Sequence, residues 1–155
     1  MSGSTIDRLL AQVRATLPSR PRATDLPLLR ARSALIVDTR PVGLRQRDGE
    51  MDGAVVVDRN QLEWRLDPTS PYRIAEVTGP DQEIVVVCDE GYASSLAAAT
   101  LQLLGLHRAT DLDGGFQSVL ALARGGGGGG GTGGGGGGGG AGGAGGAGGG
   151  GSVSV

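Results

Sequence analysis

The side chain with the most chemistry to offer in this sequence is a single cysteine. Cys88 closes the unbroken apolar run Ile84-Val85-Val86-Val87 and is followed at once by Asp89-Glu90-Gly91-Tyr92-Ala93-Ser94. An Ala- and Leu-rich stretch of helical character comes next. The thiolate is the reactive form of cysteine, and this order of elements offers two ways to hold one. Successive backbone N–H groups of a tight loop can turn toward the sulfur, and a helix N-terminus adds about half a unit of positive charge. Gly91 lets the backbone approach with no side chain in the way. The alternative is an inert cysteine sealing a buried strand. Its position at a strand's carboxyl end, before a glycine loop and a helix, favours the reactive thiol.

Ligands of open parallel sheets bind beyond the carboxyl ends of the strands. Besides Cys88 those ends carry Asp38 and Arg40, Asp58 and Arg59, and Asp113-Gly114-Gly115. Arg40 and Arg59 are candidates to bring positive charge to the pocket, although Arg40 in this pattern more often serves as a structural ion-pair partner, with Glu50 or Asp52. Arg65, beside Trp64, is a further basic candidate, whereas Trp64 itself reads as packed core. Asp89 and Glu90 matter by direction: a carboxylate facing the thiol would disfavour the thiolate and repel an anionic substrate. The reading adopted is that both face solvent. Ser94 and Ser95 are accounted for by capping and first-turn hydrogen bonds. His107, the one histidine, follows Gly105 in a turn and reads as a surface residue.

The elements that must position these groups can be read from apolar patterning. Ala34 to Val37, Ala54 to Val57 and Ile84 to Val87 are apolar throughout, and Ala109 to Leu112 is a fourth, more polar run. Such runs suit strands covered on both faces. Thr5 is the expected cap of a first helix with an apolar stripe at Ile6, Leu9, Leu10, Val13 and Leu17. Pro18, Pro21 and Pro27 then interrupt the chain, with a short helix over Leu26 to Arg32. Asn60 and Glu63 resemble a capping box for a short helix through Trp64. Tyr92 to Leu104 reads as a helix apolar on nearly every face, hence buried, with Gly105 as its stop. The alternation predicts an α/β fold with a mainly parallel sheet.

Three segments follow: a helical extension at 1–19, the α/β domain at 20–124, and a low-complexity tail at 125–155. From Gly125 to Gly151 only Thr132, Ala141, Ala144 and Ala147 interrupt glycine, so most of the 32 glycines lie there. Glycine loses the most chain entropy on ordering, and the tail reads as a flexible tether. The remainder is long enough to bury a core without disulfides.

The formal net charge is −2 with the signs interspersed, which gives no basic stripe for nucleic acid and no basic membrane helix. All 14 basic residues are arginine, so lysine Schiff-base chemistry is excluded. A lone cysteine excludes an intrachain disulfide and a cysteine-based metal cluster, and fits a reducing compartment. With no leader-like or bilayer-length apolar run, the expected location is the cytoplasm.

Four motifs in order resemble the rhodanese family over roughly residues 20 to 120. Leu35-Ile36-Val37-Asp38-Thr39-Arg40 is similar to its first signature, a strand ending Asp-x-Arg. Gly49-Glu50-Met51-Asp52-Gly53-Ala54 stands where the family has Gly-His-Ile-Pro-Gly-Ala. Cys88-x-x-Gly91 resembles the active-site loop, and Gly114-Gly115-Phe116 the closing Gly-Gly-aromatic element. The resemblance implies a sheet of about five strands with helices on both faces. It also implies a sulfurtransferase in which Cys88 takes sulfane sulfur from a donor and passes it, as a persulfide, to a nucleophilic acceptor. Thiosulfate, cyanide or thiols would be the partners, with no cofactor or metal, no nucleic acid and no membrane; a protein partner is compatible with it. Asp89, Glu90, Gly91, Tyr92 and Ala93 would line the substrate site with Arg40 and Arg59. Asp89, Glu90 and Ala93 depart from the basic or neutral loops of the family. A non-catalytic module that binds a partner or senses reactive sulfur is the alternative. Phosphatase-like chemistry would need an anion-gripping arginine after the cysteine. After Phe116 only a marginal helix of about eight residues is expected.

Overall fold

Four short runs pair as parallel strands: β1 Leu35–Asp38, β2 Val55–Val56, β3 Ile84–Val87 and β4 Ala109–Asp111. The computed structural model describes residues 3–125. The sheet order is β2-β1-β3-β4, with Leu35 beside Ile84, Asp38 beside Val87 and Ile84 beside Ala109. Strand β3 is therefore interior, and Cys88 leaves from the middle of the sheet. Alternate residues feed two cores. Leu35, Val37, Ile84 and Val86 pack with Leu62, Leu66, Ala97, Ala98 and Leu101 on one face. Ile36, Val85 and Val87 pack with Leu26, Leu29, Leu112 and Phe116 on the other. Burial on both faces is what makes the strands read as unbroken apolar runs.

Four strands are present among the described residues, where about five were expected. Beside the β4 edge runs the segment around Pro18 to Pro21. Thr110 Oγ1 donates to the Pro18 carbonyl (3.2 Å) and Asp113 N–H to the Pro21 carbonyl (2.8 Å). Proline has no N–H to return, so this segment lies along the edge without joining the ladder.

The helices are α1 Thr5–Thr16, α2 Leu26–Ala31, α3 Val42–Asp48, α4 Leu62–Leu66, α5 Ala93–Leu103 and α6 Gly115–Gly125. Several differ from the sequence expectation. The cap of α1 is Ser4, in a capping box with Asp7, rather than Thr5. Of the expected apolar stripe only Leu10 is buried, and Ile6 and Leu9 face outward. Asp58 caps a single 3-10 turn at Arg59–Gln61 by accepting from Asn60 N–H, in place of the Asn60–Glu63 box. Trp64 is 60% exposed. The buried residues of α4 are Leu62 and Leu66, one turn apart, which puts Trp64 on the opposite side. Helix α5 is not buried all round: its inner face is Ser94, Ser95, Ala97, Ala98 and Leu101, and Leu103 points to solvent. Helix α3 was not anticipated; it buries no residue and ends at Gly49, whose φ is +91°. Helix α6 has 11 residues rather than the short marginal stretch expected, anchored by buried Phe116. Among the described residues no helix is long and apolar enough to cross a membrane. The glycine-rich tail lies, from residue 126 onward, outside the described residues.

Candidate active site

The loop from Cys88 to Tyr92 joins the central strand to α5, and three hydrogen bonds converge on its sulfur. Gly91 N–H and Ser94 N–H donate to Cys88 Sγ at 3.2 and 3.4 Å. The thiol itself donates to Ser94 Oγ, 3.1 Å away. Gly91 takes φ +86°, a conformation suited to glycine, which swings its N–H inward. Ser94 stands in the first turn of α5, where N–H groups have no partner inside the helix. A sulfur anion at Cys88 would thus find two amide donors and a hydroxyl already in place.

The loop is held from outside by α6. Phe116 N–H donates to the Cys88 carbonyl (2.9 Å) and Gln117 N–H to the Asp89 carbonyl (3.0 Å). Two first-turn donors of α6 are therefore satisfied by the loop. Cys88 is 9% exposed, close to the surface but walled in.

Behind the sulfur lies a buried polar group that sequence reasoning missed. Ser94 Oγ donates to Asp111 Oδ2 at 2.7 Å, and Ser95 Oγ donates to the same oxygen at 2.8 Å. Asp111 is fully buried and bonded to Arg20, Nε to Oδ1 at 2.7 Å and Nη2 to Oδ2 at 3.1 Å. The hydrogen bond to Asp111 raises the Arg20 pKa above its ordinary value; burial opposes this, and the charges of Asp111, Asp113 and Cys88 add to it. The two serines therefore serve the carboxylate and the sulfur rather than capping α5, whose cap residue Tyr92 makes no side-chain cap bond. One signal was available: Asp111 falls within an otherwise buried strand, and a buried carboxylate must be paired. No local pattern could have named its partner, 91 residues away in the chain.

The other expected site residues fall in different places. Asp89 is partly exposed and tied to its neighbours: its Oδ1 accepts from Gln117 Nε2 at 2.9 Å and lies 3.7 Å from Arg47 Nη2. Glu90 and Tyr92 are exposed, as is Ala93, while Gly91 is buried. Arg40 does not reach a pocket. Its side chain is 0% exposed, paired with Asp38 (Nη2 to Oδ2, 2.9 Å) rather than with Glu50 or Asp52. Nη2 also donates to the Gly49 carbonyl, and the guanidinium carbon sits 3.6 Å from the centre of the Phe116 ring. The ring face offsets charge that Nη1, without a hydrogen-bond partner among the described residues, would otherwise leave bare. Glu50 pairs with Arg45. Arg59 pairs with Glu63 at 2.7 Å beside β2, which β1 separates from the cysteine strand. Arg65 contacts Gln61 and the Tyr72 carbonyl. His107 is exposed, 3.4 Å from Asp81. Among the described residues no three His, Cys, Asp or Glu side chains converge as metal ligands.

A parallel α/β sheet whose central strand ends in a cysteine, cradled by a glycine loop and a helix start, defines the class. The model of the rhodanese-like domain matches residues 24–122, and the chain belongs to that family. Among solved structures, a protein of unknown function from Rhodopseudomonas palustris, described as a possible tyrosine phosphatase, is 28% identical. It aligns with a TM-score of 0.68 over 79% of this chain and 94% of its own. The human single-domain sulfurtransferase TSTD1 is 22% identical, with a TM-score of 0.58, over 67% of this chain and 96% of its own. A rhodanese-related protein from Thermoplasma volcanium is 23% identical, with a TM-score of 0.50, over 66% and 92%. The last two share the fold. No curated protein matches the sequence.

Proposed function

We propose that this protein is a cytoplasmic sulfurtransferase that carries sulfane sulfur on Cys88. The observation that carries the reading is the convergence of Gly91 N–H, Ser94 N–H and the Ser94 hydroxyl on one sulfur. In the first step the Cys88 thiolate attacks the outer sulfur of a donor such as thiosulfate or a persulfide. The donor S–S bond breaks, its electron pair leaves on the departing sulfite or thiolate, and Cys88 becomes a persulfide anion. In the second step a nucleophile such as cyanide or a thiolate attacks the terminal sulfur, and the pair of the breaking S–S bond returns to Cys88. This is covalent catalysis with ping-pong kinetics as its expected signature. The same three donors suit both anions. While Cys88 is a thiol, Ser94 Oγ accepts a hydrogen bond from it and donates one to Asp111 Oδ2. Once the sulfur is an anion, rotation of the hydroxyl turns it into a donor.

The donor is set by the mouth of the loop. Asp89 is partly neutralised by Gln117 and Arg47, but Glu90 stands exposed beside it. That places acidic charge on the approach, so a neutral or thiol-derived persulfide fits better than a dianion. A phosphatase would need a guanidinium facing the incoming phosphate. Ala93 and Ser94 follow in the loop instead, and the two arginines nearest the loop bind the Gly91 carbonyl. The chain is therefore expected to leave p-nitrophenyl phosphate intact.

The test is thiocyanate release from thiosulfate and cyanide, together with persulfide labelling after exposure to thiosulfate or to glutathione persulfide. Labelling should be lost in Cys88→Ser, and labelling that survives there would sink the proposal. A Glu90→Ala variant should use thiosulfate better than wild type.

A further inference from the structure

The arginines that serve this site come from outside the matched domain. Arg14 lies in the last turn of α1 and Arg20 in the proline-flanked segment after it, both ahead of residue 24 where the family match begins. Arg14 Nη2 donates to the Gly91 carbonyl at 2.6 Å, and its Nε donates to Ser95 Oγ at 3.0 Å. Arg20 Nη2 donates to the same Gly91 carbonyl at 3.1 Å while its Nε holds Asp111. Two guanidinium groups thus share one loop carbonyl. The peptide unit is planar and trans, so fixing that carbonyl fixes the Gly91–Tyr92 amide plane. It also braces Gly91, whose N–H is on the sulfur.

We propose that Arg14 and Arg20 are positioning residues of the Cys88 site, supplying from an N-terminal arm the clamp and the positive charge that the acidic loop lacks. The inference rests on the reading of Cys88 as the working thiol. The charged groups around the sulfur can be named from each side. Arg14 comes from α1, with its guanidinium carbon 5.6 Å from the Tyr92 ring centre. Arg20 comes from the following segment, paired with Asp111 of β4 and with Asp113 at 3.3 Å. From the loop come Asp89, tied to Gln117 and Arg47, and exposed Glu90. Arg20 is held by two carboxylates, Asp111 and Asp113, whereas Arg14 pairs with no carboxylate among the described residues and bonds only neutral acceptors. Arg14 is therefore the cation available to a sulfur anion, whether thiolate or persulfide. Arginine suits the task because its planar fork can bridge two acceptors at once, as each of these two does.

The test uses the full chain and reads Cys88 directly, by its alkylation rate with iodoacetamide as a function of pH, beside sulfur transfer. Arg14→Gln should slow alkylation at pH 7 by about fivefold or more and move the profile toward higher pH. Arg14→Lys, which restores charge without the fork, should bring the profile back. Arg20→Gln risks unfolding, since it strands Asp111. Arg20→Lys keeps a cation on Asp111, and should fold, hold the wild-type profile and lose about tenfold in transfer. Arg14→Gln and Arg20→Lys proteins that melt, alkylate and transfer sulfur as wild type does would overturn the proposal. If the wild type transfers sulfur from no donor but Arg14→Gln still displaces the profile, the clamp stands and the sulfurtransferase reading is what fails.

Discussion

Gly91 and Gly115 interlock at contact distance beneath the sulfur. A β-carbon on Gly91 would sit 2.7 Å from Gly114 N and 3.1 Å from Gly115 N. One on Gly115 would sit 2.6 Å from both Asp89 O and Gly91 N. Both glycines also take positive φ, so a side chain meets strain twice over. Gly91→Ala should lose about 2–6 kcal/mol in urea unfolding, from positive-φ strain and overpacking of about 1–3 kcal/mol each. An unchanged midpoint would mean that the loop relaxes freely. Ser94 makes the opposite contrast, with small structural weight and large chemical weight. Asp111 keeps Ser95 and Arg20 when the Ser94 hydroxyl is removed, so Ser94→Ala should cost only about 1 kcal/mol of stability. Sulfur transfer should fall by about 10- to 100-fold, because a donor aimed at the sulfur anion is gone. Ser95→Ala, whose hydroxyl bonds Asp111 and Arg14 but not the sulfur, should lose less transfer than Ser94→Ala, and an equal loss would assign the effect to the network around the carboxylate.

Strand β3 was legible in the sequence because it obeys a simple burial rule, whereas for α5 the extent was legible from composition and Gly105 but the all-round burial was not borne out. A strand covered on both faces has no polar alternation, and Cys88 marks where it leaves the core. Helix α3 was illegible for the matching reason: it buries nothing and so carries no stripe, leaving Gly49 as its one local signal. Trp64 misled because aromatic character suggests core, whereas the spacing of Leu62 and Leu66 decides which face of α4 is buried. The Asp38-Thr39-Arg40 turn after β1 was found by motif and a structural ion pair was expected of Arg40, but its partner is Asp38 rather than Glu50 or Asp52. Arg40 is a brace between β1, Gly49 and Phe116 of α6, sealed from solvent. Removing one member of a buried pair leaves the other charge without compensation. Arg40→Met should therefore cost about 3–5 kcal/mol in chemical denaturation. The folded fraction of that variant should alkylate at Cys88 at the wild-type rate. A donor KM that rises in Arg40→Met at unchanged stability would return this residue to the substrate pocket.

The segment after α1 is held by Arg20 on Asp111, by the Pro18 and Pro21 carbonyls and by Leu17 against the core, whereas α1 itself is joined to the body by fewer groups. Leu10 is the one buried residue of α1, and Arg14 supplies its bonds to Gly91 and Ser95. With so little packing, the persistence of α1 depends on its own cap. Ser4 Oγ accepts from Asp7 N–H at 3.2 Å, and Asp7 Oδ2 accepts from Ser4 N–H at 3.1 Å and from its hydroxyl at 2.6 Å. The side-chain bond first, then the backbone bond from Ser4, holds the Asp7 carboxyl below its ordinary value of 3.8. A carboxyl depressed in the folded state stabilises the helix fully above that ordinary value, and the contribution fades as pH falls through the folded pKa. Acid should therefore loosen the arm before it unfolds the sheet, and loosen the Arg14 clamp with it. At neutral pH the same opening can be produced by Ser4→Ala. Amides in the first turns of α1 should then exchange about fivefold faster, as the loss of about 1 kcal/mol of capping requires, while β3 amides keep their protection. Cys88 alkylation should stay near the wild-type rate while α1 remains mostly closed, because the arginine on the Gly91 carbonyl is carried by that helix, and should slow only where the open form becomes a large fraction. Unchanged α1 exchange in Ser4→Ala would instead place the hold of α1 in its contacts with the body, Leu10 and Arg14 among them, and acid would then leave the catalytic loop untouched until the core gave way.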